Sequence, residues 1–415
     1  MPKVGKILIL KLHNKLLSLL LRDNQILSAR ASQEKPFAVG DIYIGKVQNI
    51  SPNINAAFVD LGGKYLTFLP MAEARSAFVV NRKPDGTIKP GDEILVQIAK
   101  EPMKTKLAGV TTKLSLSGRY VVAGIQHPCK KDTQKAPLHT NKDEKAAHCT
   151  VQVSSKLNKM QQNRFRSLET LQNLSSQYQI IVRTNAQTLT EDAPLIREAE
   201  ELTGMLARIL AIADKRTCYS CLYRNPPDYI TFIRNAYSTE YDEVVTDLKD
   251  VYETLQESFQ DTDIPIRLYE DSFLSLHKLY AVEIRIKELL DKKVWLKSGG
   301  YLVIEPTEAL ISIDVNTGKC ETGKNAEETF MRINQEAAEM IARQLRARNL
   351  SGMILVDFIN LKQKEQEAQL LEYMRKLLRQ DPVTSNVVDM TGLGLMELTR
   401  KKVDSSFAEQ IREDI

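Results

Sequence analysis

The sequence predicts an α/β protein built from several subdomains. Its 415 residues are too many for one ordinary core, so we expect two to four subdomains. Short apolar runs broken by proline and glycine fill residues 40–116, a pattern typical of a small barrel of β-strands. The last third alternates strand, helix and strand patterns, which is typical of α/β architecture.

The composition limits the class of protein further. Hydrophobic residues make up 43% of the chain and charged residues 27%, as in soluble globular proteins. No run of about 18 apolar residues occurs, which argues against a membrane-spanning helix. The net charge of +4 permits a polyanionic partner without requiring one. Five scattered cysteines favour a reducing compartment over a disulfide framework.

The N-terminal segment has a strand pattern. Residues 4–32 predict two short strands joined at His13-Asn14, with a second turn at Asp23-Asn24. Its alternating apolar positions are Ile7, Ile9, Leu17, Leu19 and Leu21. The first apolar run is short and no small-residue cleavage site follows it. We therefore expect a first strand rather than a signal peptide, and no cleavable targeting peptide.

The middle of the chain changes pattern several times. The apolar positions expected in the barrel are Ile42, Ile44, Val47, Ile50, Ala57, Val59, Leu69, Ile94, Val96 and Ile98. Polar, lysine-rich residues 127–165 predict a long loop. Residues 178–182 predict a strand and residues 191–213 an amphipathic helix. We expect a short strand and a helix within residues 228–260, and a helix over residues 276–290.

The clearest pattern lies in the last third. Residues 301–305 and 309–315 predict two strands with a turn at Pro306, and residues 353–358 predict a third strand. Residues 326–348 predict an amphipathic helix between them. Its expected inner face is formed by Phe330, Ile333, Ala337, Ile341 and Leu345. Strands joined by a helical crossover run parallel, so the second and third strands should point the same way.

An aspartate stands near the C-terminal end of each of these two strands. Parallel neighbours lie about 4.8 Å apart, so we expect Asp314 and Asp357 to converge at the edge where α/β proteins place active sites. Two such carboxylates repel unless a proton or a cation intervenes, and Mg²⁺ accepts one or two protein carboxylates. Asn316 lies on the same face and can orient a phosphate or a metal-bound water. The alternative is that each aspartate only ends its strand as a turn former or a helix cap.

These residues belong to stretches that resemble the ribonuclease E/G family, most of all its cyanobacterial and plastid branch. The stretches are Ser298-Gly299-Gly300-Tyr301, residues 305–310 (EPTEAL), residues 313–318 (IDVNTG), residues 341–346 (IARQLR), residues 356–359 (VDFI) and residues 395–401 (LMELTRK). The likeness extends from the first strand to Lys402. Its motifs are long and keep the family's order.

The resemblance implies a particular subdomain order. An RNase H-like region is split between the N-terminus and the middle of the chain. An OB-type RNA-binding barrel and a 5′-end sensor are inserted into it, and a DNase I-like catalytic subdomain follows. The implied ranges are 1–38 and 206–272 for the RNase H-like region, 39–117 for the barrel, 118–205 for the sensor with its lysine-rich loop, 273–402 for the catalytic subdomain and 403–415 for a tail.

The resemblance also implies the chemistry. Asp314 and Asp357 would bind Mg²⁺ and Asn316 would position them, making these the catalytic residues. Water would attack the phosphodiester and leave a 5′-phosphate and a 3′-hydroxyl. The expected substrates are single-stranded, often A/U-rich RNA, namely mRNA and rRNA precursors, in a bacterial cytoplasm or a plastid stroma.

RNA-binding residues follow from the same resemblance. Phe58 and Phe68 match aromatic positions of the family's barrel, where an exposed ring stacks on a base. The alternative is that both rings are core. Lys106 matches a lysine of the RNA channel, although Leu107 follows it where the family usually has glycine.

The expected 5′-phosphate pocket is formed by Arg183, Thr184, Gly118 and Val122. A guanidinium makes bidentate contacts to phosphate, and the hydroxyl adds another. The family's glycine-containing turn after the Arg-Thr pair is replaced here by residues 185–187 (NAQ). The alternative is that Arg183 pairs with a surface carboxylate.

Cysteine and histidine patterns give a weaker signal. Cys218 and Cys221 have CxxC spacing but no further ligands nearby in sequence, so we interpret them as structural thiols. A zinc set is a minor alternative for His127, Cys129, His139, His148 and Cys149. The family carries a zinc-linking CxxC motif after the segment that matches Arg400-Lys401-Lys402, and no cysteine follows here. Any homo-oligomer is therefore expected without a zinc link.

Two other functions stay open at this point. A non-catalytic RNA-binding factor of the same fold would need the barrel but not the two aspartates. A magnesium-dependent DNA nuclease would need the aspartates, and its barrel could tolerate single-stranded DNA. Cleavage of single-stranded RNA that needs magnesium would separate all three.

Overall fold

A computed structural model describes residues 5–23, 25–32, 36–74, 76–83, 85–102, 106–126, 151–318 and 326–412. The chain divides into two compact units. One unit combines Met1–Glu34 with Pro227–Ile415, and the other is Lys35–Pro226. The second unit is thus inserted into the first.

Strands and helices occur throughout the described part of the chain. The strands are β1 Lys6–Leu12, β2 Lys15–Arg22, β3 Gln25–Ser32, β4 Ile42–Ser51, β5 Ala56–Asp60, β6 Leu66–Pro70, β7 Glu93–Lys100, β8 Ala108–Thr111, β9 Ser115–Ser117, β10 Val121–Ile125, β11 Gln152–Val153, β12 Tyr178–Val182, β13 Cys221–Tyr223, β14 Glu243–Thr246, β15 Ile266–Leu268, β16 Lys293–Trp295, β17 Tyr301–Pro306, β18 Ile311–Asn316, β19 Gly352–Asp357, β20 Ser385–Met390 and β21 Leu395–Arg400. The helices are α1 Met71–Ala74, α2 Lys159–Arg166, α3 Glu169–Ser175, α4 Ala193–Ala213, α5 Asp228–Asn235, α6 Lys249–Ser258, α7 Leu276–Leu279, α8 Val282–Leu290, α9 Ala326–Ala347, α10 Lys364–Leu378 and α11 Phe407–Arg412.

The first sheet joins the N-terminal strands to strands from the middle of the chain. Its order is β15-β14-β1-β2-β3, and β1 runs parallel to β14. The predicted turn at His13-Asn14 is confirmed, and Asp23 begins the second turn. The prediction of two strands was wrong, because β3 adds a third. Its Ile26, Ala29 and Ala31 are buried, although the polar residues between them obscure the alternation.

The predicted barrel is confirmed. Strands β4, β5, β6, β8 and β7 follow one another, and pairing of β4 with β7 closes the ring. Ala57, Val59 and Leu69 are buried, as expected for interior positions. An ion pair supports the barrel, since Arg82 donates two 2.7 Å hydrogen bonds to the buried Asp92. The guanidinium lowers the pKa of Asp92 below its usual value.

The rest of the inserted unit is a sheet of order β11-β12-β10-β9 packed on α4. Strand β12 and helix α4 confirm the predictions for residues 178–182 and 191–213. The predicted loop over 127–165 was wrong for its last part, which holds β11 and α2. Burial of Phe165 and the Asn158 cap, whose side chain accepts a 2.8 Å hydrogen bond from Gln161 N, explain the helix. Residues 127–150 lie outside the described part.

The C-terminal sheet has the order β16-β17-β18-β19-β21-β20. Strands β18 and β19 run parallel, as predicted from the crossover through α9. The inner faces of these strands pack with α9 and α10 in one apolar core. Four of the five predicted inner positions of α9 are fully buried, whereas Phe330 is only partly buried.

Two helix predictions needed correction. The continuous helix expected over residues 276–290 is broken into α7 and α8, because Ala281 adopts a left-handed backbone with φ of 47°. Residues 228–260 hold α5 as well as the expected strand and helix, and α5 buries Ile230 and Ile233. Within the described residues, no helix combines the length and the apolar character that crossing a membrane requires.

Candidate active site and RNA-binding surfaces

The two aspartates predicted from the crossover meet across one strand pair. Asp314 and Asp357 are direct register partners of parallel strands β18 and β19. Directly opposed residues of neighbouring strands project from the same face, about 4.8 Å apart. Both side chains are exposed on the sheet face opposite α9 and α10. The alternation that buries Ile313, Val315 and Val356 is what turns the aspartates outward.

Asn316 follows Asp314 by two residues and lies on the same face. Its side-chain Nδ2 donates a 2.6 Å hydrogen bond to Asp314 Oδ2. The amide thereby holds one carboxylate in place and leaves its own Oδ1 for a further partner. The prediction that Asn316 lies on the same face as the carboxylates is confirmed.

The donor set of this pair suits a hard cation. Within the described residues, no lysine, arginine or histidine makes an ion pair with Asp314 or Asp357. The same residues contain no cluster of three or more His, Cys, Asp or Glu side chains able to hold a metal. The two carboxylates and the amide are oxygen donors of the kind that hard divalent cations take, with phosphate and water able to complete the coordination.

The barrel presents an aromatic pair on its outer side. Phe58 and Phe68 are register partners on β5 and β6, with ring centroids 6.4 Å apart in an edge-to-face arrangement. Both are half-buried, while the neighbours Ala57 and Leu69 point into the barrel and are fully buried. The structure therefore contradicts the alternative in which both rings are core, and it leaves ring surface available to a ligand.

Basic side chains lie beside this pair. Phe68 is paired in register with Gly109 on β8, and Gly109 with the exposed Lys100 on β7. The outer surface thus carries two rings, a glycine and a lysine in one row. Lys106 is also exposed and leads into β8. The sequence did not indicate Lys100, because a bulge between Ile98 and Lys100 decides from which face of β7 this side chain projects.

The four residues predicted for the 5′-phosphate pocket lie around β10 and β12. Arg183 donates a side-chain hydrogen bond to the carbonyl of Gly118. Thr184 makes a 2.9 Å hydroxyl contact with Ser154. Val122 is the register partner of Ile181 on β12. The altered turn after the Arg-Thr pair forms a 3₁₀ helix over Thr184–Thr188.

A half-buried carboxylate organises the same region and was not predicted. Glu198 on α4 accepts hydrogen bonds from the backbone amides of Arg119, Tyr120 and Val121, at 2.6, 2.7 and 2.8 Å. A Cβ at Gly118 would lie 2.3 Å from the Glu198 carboxyl carbon. Glycine at this position is therefore a packing requirement. Only the tertiary contact between α4 and β10 reveals it.

The CxxC pair lies next to barrel strand β4. Cys218 is half-buried and Cys221 is exposed, and both are free thiols. Cys221 begins β13, which adds to barrel strand β4. Burial raises the pKa of the Cys218 thiol. The histidines and cysteines considered as a zinc set at positions 127–149 lie outside the described residues.

Comparison with known proteins gives two family matches. Residues 145–403 match the ribonuclease E/G family. Residues 36–113 match the S1 RNA binding domain, in agreement with the closed five-stranded barrel.

Individual relatives are similar along most of the chain. Ribonuclease E of Synechocystis is 32% identical over 384 residues, and ribonuclease E of Nostoc is 33% identical over 386 residues. Each alignment covers 89% of this chain but only 53% and 52% of the relative, so the chain spans about half the length of these proteins. Ribonuclease G of Haemophilus influenzae is 31% identical over 90% of this chain and 74% of its own length.

Proposed function

The chain belongs to the ribonuclease E/G family, and from that premise we propose that it is a magnesium-dependent endoribonuclease. One observation carries the proposal. Asp314 and Asp357 are register partners on adjacent parallel strands, exposed together on the open face of the sheet, and Asn316 holds one of them. If each aspartate only ended its strand as a turn former or a helix cap, the two carboxylates would not need to lie opposite each other.

The reaction would proceed at this pair of carboxylates. A bound Mg²⁺ would neutralise charge on the phosphate and promote attack by water. Asp314 and Asp357 would supply the anionic oxygens that hold the ion, and Asn316 would keep the Asp314 carboxylate in its orientation. The products would carry 5′-phosphate and 3′-hydroxyl ends.

The inserted unit would hold the RNA. Phe58 and Phe68 would stack on bases, since base stacking on aromatic rings tolerates sequence variation and requires single strands. Lys106 and Lys100 would contact phosphates nearby. Arg183 and Thr184, with Gly118 and Val122, would bind a 5′-terminal monophosphate. We infer single-stranded, A/U-rich mRNA and rRNA precursors as substrates, in a bacterial cytoplasm or a plastid stroma.

The second candidate is an RNA-binding factor without cleavage activity. The S1 match and the outer aromatic pair suit both candidates equally. The exposed carboxylate pair favours the nuclease, because two uncompensated carboxylates about 4.8 Å apart repel each other without a cation.

The first test replaces each carboxylate. Asp314→Asn and Asp357→Asn each remove one negative charge with little change in volume, so cleavage of a labelled single-stranded RNA should fall by at least about 100-fold. RNA affinity, measured by filter binding in EDTA, should stay within about twofold of wild type. EDTA should stop cleavage by wild type, and added magnesium should restore it.

The matched control is Asp389→Asn, an exposed aspartate on β20 of the same sheet. This variant should cleave at the wild-type rate. Near wild-type cleavage by either Asp314→Asn or Asp357→Asn would overturn the metal assignment. Binding of RNA by wild type without any magnesium-dependent cleavage would favour the RNA-binding factor.

A further inference from the structure

An exposed aromatic pair with a lysine lies on the same sheet as the carboxylates. Trp295 on edge strand β16 is 62% exposed, and Tyr301 on β17 is half-buried. Their ring centroids lie 5.4 Å apart at an interplanar angle of 61°. Lys293 Nζ lies 4.2 Å from the Trp295 centroid and 3.6 Å from the Tyr301 centroid. We call these three residues the aromatic platform.

Strand register connects the platform directly to the proposed active site. Trp295 is the register partner of Tyr301, and Tyr301 is the register partner of Asn316. Opposed residues share a face, so all three project from the face that carries Asp314 and Asp357. With about 4.8 Å between strands, Tyr301 lies one strand from Asn316 and Trp295 lies two, roughly 10 Å away.

The chemistry of the platform suits one ligand class. An aromatic ring with a free face stacks on nucleobases, and a neighbouring lysine contacts backbone phosphate. Lys293 occupies one side of the rings, and the exposure of Trp295 leaves ring surface open to solvent. The inner face of the sheet already forms its apolar core with α9 and α10, so packing does not require aromatic side chains on the outer face.

We propose that Trp295, Tyr301 and Lys293 form a nucleotide subsite that stacks a base of single-stranded RNA beside the phosphate to be cleaved. This proposal rests on the proposed nuclease function, because the carboxylate pair defines where the reacting phosphate would lie. The platform would fix which phosphate of the RNA lies at the carboxylate pair. The barrel would bind another part of the RNA in the inserted unit.

A direct test is available because Trp295 is the only tryptophan of the chain. Its fluorescence therefore reports on the platform alone. Titration of wild type in EDTA with a short A-rich RNA should quench the emission saturably and reduce quenching by acrylamide. Unchanged emission during binding, with the binding itself followed by a label on the RNA, would overturn the proposal.

Kinetics give the second measurement. Trp295→Ala should raise KM for a short single-stranded RNA by about 5- to 150-fold, the range expected for one lost base stack. Its kcat should stay near wild type, and Trp295→Phe should restore most of the affinity. The matched control is Val388→Ala, which shortens another exposed apolar side chain of the same sheet, 52% exposed on β20.

The outcomes separate the two proposals. Magnesium-dependent cleavage by wild type, with an unchanged KM for Trp295→Ala, would overturn the platform and leave the nuclease standing. If wild type shows no magnesium-dependent cleavage, the proposed nuclease function is wrong. If Trp295→Ala instead lowers the mass measured by sedimentation and leaves RNA affinity unchanged, the platform is an interface between copies of the chain, and the subsite is wrong. Because Trp295 is exposed, each variant should melt at the wild-type temperature.

Discussion

Arg183 makes contacts within the fold and is also the residue proposed to bind the 5′-phosphate. Its backbone amide donates a 2.7 Å hydrogen bond to Tyr120 O, and its guanidinium donates to the Gly118 carbonyl. These two contacts hold Arg183 beside the short turn between β9 and β10. A phosphate bound there would accept charge-assisted hydrogen bonds from the same guanidinium. A terminal monophosphate offers more charge and more acceptor oxygens than an internal phosphodiester.

Replacing this arginine should remove 5′-end discrimination. One hydrogen bond to a charged group contributes about 1.5–3 kcal/mol, or roughly a 10- to 150-fold preference. Wild type should cleave a 5′-monophosphate RNA faster than its 5′-hydroxyl form, and Arg183→Gln should cleave both at the slower rate. Arg166→Gln, at an exposed position of α2, is the matched control and should keep the preference. Equal cleavage rates for both RNAs with wild type would contradict the 5′-phosphate pocket but not the proposed nuclease function.

Strands β5 and β6 each place alternate side chains in the barrel interior and on its outer surface. Ala57, Val59 and Leu69 fill the barrel, whereas Phe58 and Phe68 point outward between them. A strand repeats every two residues, so one register decides both the core and the outer face. The same rule exposes Asp314 and Trp295 on the C-terminal sheet.

Two substitutions on these strands should therefore act differently. Phe58→Ala removes an outer ring, so it should raise KM for long single-stranded RNA by about 5- to 150-fold. Its circular dichroism spectrum should match wild type. Leu69→Ala removes a fully buried side chain and should lower the free energy of unfolding by about 2–5 kcal/mol. If Phe58→Ala unfolds the barrel instead, the ring serves the stability of the fold and the stacking assignment is wrong.

At the scale of the whole molecule, the chain inserts one unit into another. Each hydrophobic cluster of the described residues is drawn from a single unit. The two connections also lie close together, since Arg30 on β3 forms a 3.0 Å ion pair with Asp228 at the start of α5. A unit with its own cores and neighbouring chain ends can tolerate removal of the insert.

Excision of the inserted unit tests this organisation. A chain in which a short flexible linker joins Ser32 to Pro227 should fold and melt cooperatively. It should still cleave short RNA with magnesium, because Asp314 and Asp357 remain. Its KM for long RNA should rise by about 10-fold or more, because the stacking contacts of the barrel are gone. The shortened chain that also carries Asp314→Asn is the control, and its rate is the background against which cleavage by the shortened chain is measured. A shortened chain that remains unfolded would show that the outer unit depends on the insert.

The sequence by itself determined the carboxylate pair and the barrel. Alternation and the crossover rule are local patterns with a fixed geometric consequence, so Asp314 and Asp357 could be placed side by side before any contact was known. The strand over 178–182 and the helix over 191–213 followed from equally local periodicity. The break at Ala281 did not, because a single left-handed residue leaves no periodic signal.

Only the tertiary structure decided which faces and distant residues come together. Whether Phe58 is core or surface depends on the closure of the barrel by β4 and β7, which no local pattern specifies. Glu198 reaches the amides after Gly118 from a helix nearly 80 positions away in sequence. Trp295 shares a sheet face with Asn316, two strands away, only because β17 pairs with strands on both of its sides. These placements arise from non-local pairing, whereas sequence patterns record only the preferences of neighbouring residues.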